Sequence, residues 1–117
     1  MKVKYLVGAY NIRLDRNGYG KSIMQHDLTY CYKCGRRDQK LDRHEVFGAS
    51  ERAKSKAMGL WVVLCHDRCH LNGVHTDAVY RKKLRAKAQA AAMREYGWPT
   101  ERFIEEFGMN FMEDTNA

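Results

Sequence analysis

Two cysteines and three histidines lie in the stretch Cys65-His66-Asp67-Arg68-Cys69-His70-Leu71-Asn72-Gly73-Val74-His75, directly after the apolar run Leu60-Trp61-Val62-Val63-Leu64. Thiolate and imidazole are the side chains that bind first-row transition metals best, so this density points to coordination rather than packing. The four cysteines of the chain form two close pairs, Cys31-x2-Cys34 and Cys65-x3-Cys69. Two pairs about thirty residues apart in a short chain are the signature of one structural zinc. Cys31-Tyr32-Lys33-Cys34-Gly35 has the form of a zinc knuckle, in which a tight turn presents both sulfurs to one ion and Gly35 relaxes the backbone after it. A redox C-x-x-C would need a helix starting at its first cysteine in a thioredoxin-like setting, and Gly35-Arg36-Arg37-Asp38 does not supply one.

The elements that must hold these ligands are short. With 117 residues the chain has room for one domain and one modest core, where a metal cross-link supplements burial. An apolar fraction of 44% and a mean hydropathy of −0.66 exclude both a disordered chain and a membrane-embedded one. The start of the chain carries no apolar run of signal-peptide character. The expected compartment is the cytoplasm, where thiols stay reduced and favour metal over disulfides. A net charge of +7 favours a polyanionic partner, with DNA or RNA the commonest.

Residues 1–30 read as an arm or an added hairpin. Val3, Tyr5 and Val7 alternate as in a short strand, Asn17-Gly18 signals a turn, and residues 22–25 suit a single helical turn. His26 stands alone and reads as a surface or packed histidine rather than a ligand. Residues 41–47 and 60–64 suit two strands, joined by a basic loop in which Arg52, Lys54 and Lys56 are candidate phosphate contacts, together with the lysines and arginines of residues 78–96. Thr76 or Asp77 can cap a helix from Ala78 to Tyr96, with an apolar stripe of Tyr80, Leu84, Ala88, Ala91 or Ala92, and Tyr96. Gly97 is its expected stop. Pro99 opens a short helix that Gly108 ends, with Phe103, Ile104 and Phe107 turned inward. The last residues, from Met109 to Ala117, read as a fraying tail.

In this order the motifs resemble an HNH endonuclease of the ββα-metal type, in particular the small phage and prophage members. The resemblance spans residues 21–111. It is carried by Cys31-Tyr32-Lys33-Cys34-Gly35, His44-Glu45-Val46-Phe47, Leu64-Cys65 through Cys69-His70, Val74-His75 and the closing Phe103-Ile104-Glu105-Glu106-Phe107-Gly108-Met109-Asn110. The fold it implies is a small α+β one, with a zinc knuckle, a ββα-metal motif and a C-terminal helical pair. Residues 31–117 would form the zinc-stabilised nuclease domain. It further implies that Cys31, Cys34, Cys65 and Cys69 hold the structural zinc. His44, His70 and His75 would hold a catalytic divalent ion, whether Mg²⁺, Mn²⁺, Ni²⁺ or Zn²⁺. The implied activity is hydrolysis of DNA phosphodiester bonds inside a host cell, with other phage proteins as further candidate partners and no oligomeric state specified.

This chain departs from the family pattern in three places. Glu45 stands where the family usually has a second histidine acting as base. An unperturbed glutamate is a weak base at neutral pH, so Glu45 is either a base whose pKa is raised by burial or by Asp42, or an oxygen ligand. Adjacent strand residues face opposite sides, so His44 and Glu45 reach one ion only if the strand bends. Leu60 falls where the central asparagine is common, leaving Asn72 as a substitute. Three residues rather than two separate Cys65 from Cys69, which makes His66 an alternative zinc ligand. Two other classes fit the cysteines alone: a non-catalytic zinc module that binds nucleic acid, and a phage structural protein that folds around zinc. Retention of His44, His70 and His75 together separates the enzyme from both.

Overall fold

The structure, a computed structural model, describes residues 2–112. Its elements run α1 (Lys2–Ala9), β1 (Leu41–Glu45), a 3-10 turn (Ala49–Glu51), α2 (Arg52–Ala57), β2 (Trp61–Cys65), a π-helix (His66–Val74), α3 (Ala78–Tyr96) and α4 (Thr100–Phe107). This is a small α+β arrangement around one two-stranded antiparallel sheet. The ladder pairs Leu41 with Cys65 and Glu45 with Trp61 without a bulge. Every residue of β2 is buried, as its uninterrupted apolar run requires. No helix among the described residues is long and apolar enough to cross a membrane.

The first segment is helical where alternation suggests a strand. Val3, Leu6, Val7 and Tyr10 also recur at helical spacing, and packing decides between the two periods. Leu6 is fully buried in the core, whereas Tyr5, which a strand would place with Val3 and Val7, is 63% exposed. No strand forms among residues 2–30, so the expected hairpin is absent as well. The loop that follows α1 instead covers the free edge of β2. Ser22 Oγ donates to Trp61 O at 2.7 Å, Val63 N donates to Gln25 Oε1 at 2.9 Å, and Trp61 Nε1 donates to Gly20 O at 2.8 Å. These bonds satisfy backbone groups that an open edge would leave unpaired. Residues 22–25 close a turn on the Ser22 hydroxyl without forming a helix, and His26 is exposed.

The basic loop is also partly helical, because Ala49–Glu51 and α2 occupy most of it. On the carboxyl-terminal side the local signals hold. Asp77 caps α3 by accepting from Tyr80 N at 3.0 Å, and Gly97 (φ +68°) and Gly108 (φ +93°) end α3 and α4 in the left-handed region. Leu84, Ala88, Ala91 and Ala92 bury the α3 stripe. In α4, Phe103 and Phe107 pack against Phe47, but Ile104 is 37% exposed and does not turn inward. The stretch from Met109 to Met112 does not fray. Buried Gln89 donates to Asn110 Oδ1 and accepts from Phe111 N, and the Phe111 ring lies 5.0 Å from that of Phe47. Residues 113–117 of the expected tail lie outside the described residues.

Candidate metal centres

The four cysteine sulfurs lie within 4.8 Å of one another, and none is in a disulfide. Cys34 Sγ and Cys65 Sγ are 3.9 Å apart. A tetrahedral zinc with Zn–S bonds of about 2.3 Å sets its sulfurs roughly 3.8 Å apart, so the cage already has the size of the ion. The knuckle turn is closed by Gly35 N donating to Cys31 O at 2.8 Å, with Gly35 at φ +79°. Tyr32 N donates to Val63 O at 2.8 Å and ties the knuckle to β2. Burial raises the Cys31 thiol, but backbone amides of Cys34, Cys65 and Lys33 outweigh it and bring the group down to about 7. Burial and the crowding of the other three sulfurs push Cys69 the opposite way. Four such thiols suit a soft divalent metal such as zinc. His66 is not part of this cluster, because its Nδ1 lies 2.6 Å from Asp42 Oδ2.

On the neighbouring face, nitrogen atoms of His44, His70 and His75 also lie within 4.8 Å of one another. Strand alternation sends Asp42 and His44 to one side of β1, and Arg43 and Glu45 to the other. His70 and His75 come from the π-helix and its end. An i→i+5 turn stacks residues five apart, whereas about 3.6 residues per turn would splay them. The two Nε2 atoms are 3.1 Å apart. Gly73 makes this turn possible, since a Cβ there would stand 2.7 Å from Arg68 O. His70 Nδ1 lies 2.9 Å from Asp42 Oδ2, which only accepts, so the proton sits on Nδ1 and Nε2 presents a bare lone pair. Burial works against the Asp42 carboxylate, yet hydrogen bonds from His70 and His66 hold its pKa below the ordinary value.

His44 is buried, and its Nε2 has no hydrogen-bond partner. Burial, then the charges that His70 and His75 would carry, lower its pKa to about 4. It is therefore neutral at pH 7 with a ligand atom aimed at its two neighbours. An orphaned buried nitrogen beside two further imidazoles whose nitrogens meet within hydrogen-bond distance is a donor set that fits a transition-metal ion.

Glu45 lies outside both clusters among the described residues. Its Oε2 accepts from Tyr19 Oη at 2.6 Å and its Oε1 from Arg52 Nε at 2.7 Å. Burial raises the carboxyl, but these two partners outweigh it and set the pKa below the usual glutamate value. Asp42 has no part in this, because it faces the other side of the strand. The expected upward shift of Glu45 is thus reversed, and the strand does not bend to bring its carboxylate onto the histidines.

A cleft of about 480 Å³ opens over the histidines, lined by His44, Glu45, His70 and His75 with Arg43, Arg52, Arg81 and Arg85 among its walls. Of the three loop cations expected to meet phosphate, only Arg52 reaches it. Lys54 is buried, ion-paired to Glu51 at 3.1 Å and Glu106 at 3.6 Å, and so is a structural residue. Lys56 Nζ lies 4.7 Å over the Tyr19 ring. Leu60 is in the core, and Asn72 is exposed and does not line the cleft. The sequence does not reveal that Asp42 stands beside His70, or that Arg81 and Arg85, among all the basic residues of the helix, line this cleft. The spacing Asp42-x-His44 on a strand is the one signal that placed Asp42 on the histidine side.

Comparison with protein-family models, curated proteins and solved structures found no match.

Proposed function

We propose that this chain is a metal-dependent endonuclease of the HNH, ββα-metal type that hydrolyses DNA phosphodiester bonds in a phage or prophage setting. The observation that carries this reading is the convergence of His44, His70 and His75, with His44 Nε2 buried and unpartnered, under an arginine-lined cleft. A module that only binds nucleic acid uses the thiols and has no role for three imidazoles aimed at one point. The order β1, β2, π-helix and α3, joined to a four-thiol cage, also agrees with what the resemblance implies.

His44, His70 and His75 would hold a divalent ion, and an all-imidazole set suits Zn²⁺ or Ni²⁺ better than Mg²⁺. When bound, such an ion supplies Lewis-acid stabilisation of charge on the phosphate and on the leaving 3′ oxygen. Asp42 fixes the His70 tautomer and ring plane. Glu45 is the proton acceptor. Its partner Arg52 is 65% exposed, and an incoming phosphate draws it away into a charge-assisted pair. Oε1 is then free to take a proton from the attacking water, and Tyr19 keeps the carboxylate aimed through Oε2.

The test is plasmid nicking by the purified zinc-loaded protein with Mg²⁺, Mn²⁺, Ni²⁺ or Zn²⁺ added, and with EDTA, beside His44→Ala. The expected result is nicking that needs an added ion and is lost in His44→Ala. A folded protein that binds the plasmid and leaves it supercoiled with every ion would favour the non-catalytic zinc module.

A further inference from the structure

Arg81 and Arg85 stand one turn apart on α3, and both line the cleft over the three histidines. The other two cleft arginines are already matched, Arg43 to Asp15 at 3.1 Å and Arg52 to Glu45. Arg81 Nη1 donates only to a neutral carbonyl, Val74 O, at 3.0 Å. Arg85 Nε is buried without a hydrogen-bond partner among the described residues. Burial, and then the adjacent Arg81 charge, act against the Arg85 cation, and among the described residues no carboxylate contributes in its favour. A guanidinium does not deprotonate in a protein, and beyond the Phe111 ring, 5.9 Å from the Arg85 guanidinium, no described group offsets this repulsion, so the pair is fitted to an anion. The pair shares the cleft with the histidines, since His44, His70, His75, Arg81 and Arg85 all line it.

We infer that Arg81 and Arg85 form the seat of a backbone phosphate of DNA, over the three-histidine centre, and that the lysines after β1 do not. The planar forks of two arginines match the several oxygens of a phosphate better than the single point charge of a lysine. Lys54 is closed off by Glu51 and Glu106, so the phosphate-binding surface narrows from loop and helix together to the amino-terminal half of α3. This inference rests on the nuclease reading of the cleft and deepens it by naming the residues that place the substrate.

The experiment is binding of a fluorescent DNA duplex to the zinc-loaded protein, without a second metal, across a salt series. R81Q and R85Q are compared with K83Q, which removes the same charge from an exposed position outside the cleft lining. Each cleft variant should weaken binding roughly tenfold and flatten the slope of log K against log salt by about one. Affinity and slope unchanged in both, or lowered no more than by K83Q, would overturn the seat. If R85Q does not fold, R85K keeps the charge without the fork, and wild-type affinity in R85K overturns the bidentate account. Inorganic phosphate probes the other source of the same chemistry. Stabilisation of wild type but not R85Q, at phosphate levels that leave the duplex bound, would assign the seat to a free phosphate and overturn the DNA assignment. Nicking assays keep the two proposals apart. Arginine-dependent binding without nicking by wild type removes the nuclease and leaves the seat. Nicking at wild-type KM and kcat in R81Q and R85Q removes the seat and leaves the nuclease.

Discussion

Asp42 orders the histidine centre without belonging to it. One carboxylate oxygen receives both His66 Nδ1 and His70 Nδ1, which commits His70 Nε2 to the side where His44 and His75 converge. Asp42→Asn keeps the shape and loses the charge. Affinity of this centre for Ni²⁺ or Zn²⁺ should fall about 10- to 100-fold, with the four-cysteine zinc retained. Calorimetric titration of the zinc-loaded protein reads it, and wild-type affinity would remove Asp42 from the centre. Glu45 presents the opposite case, a carboxylate fully engaged by Tyr19 and Arg52. If it accepts the proton, Glu45→Gln lowers turnover by about two to four orders of magnitude, while DNA affinity holds or rises because Arg52 loses its internal partner. A drop smaller than tenfold would leave Glu45 as a tether for Arg52 alone.

At the scale of elements, the π-helix and α2 do what isolated residues do not. The π-helix puts His70 and His75 over each other only because residue 73 is glycine. Gly73→Ala should cost about 1–3 kcal/mol by overpacking, read as a lowered denaturation midpoint, and should weaken the histidine centre with it. A variant as stable as wild type would mean that the turn absorbs the methyl group. Lys54 connects α2 to α4 through Glu106 and to the 3-10 turn through Glu51. Arg102 also holds Glu106, at 3.1 Å, so removal of Lys54 leaves that carboxylate partly compensated. Lys54→Met should therefore destabilise by about 1–3 kcal/mol and leave the salt slope of DNA binding intact. A slope that falls by about one would return Lys54 to the phosphate surface.

For the molecule as a whole, the four-thiol cluster would be a cross-link once it holds a metal such as zinc. It joins the knuckle, which has no regular element of its own, to the end of β2 and the start of the π-helix. The remaining core is one cluster of apolar side chains drawn from the sheet and the helices, and a domain of this size has little stability to spare. Metal analysis should find about one tightly held zinc per chain, and its removal by a strong chelator should unfold the protein. His44→Ala should keep both the fold and this zinc, which separates the structural centre from the histidine one. A folded, zinc-free protein would refute the cross-link.

The sequence by itself determined what short-range chemistry specifies. Paired cysteines mark a metal cage because one ion needs all four, the apolar run before Cys65 marks a buried strand, and Asp77, Gly97, Pro99 and Gly108 mark helix ends through their own hydrogen bonds and φ angles. Tertiary structure decided the rest. Val3, Leu6, Val7 and Tyr10 fit a helix as their neighbours fit a strand, and only the burial of Leu6 selects between the two periods. Lys54 looks like a free surface cation until Glu106, fifty-two residues away, is folded against it. The histidine centre needed both scales. Its residue types and the alternation that parts Glu45 from His44 were legible, but the i→i+5 turn that brings His70 and His75 together over Asp42 exists only once the backbone has closed.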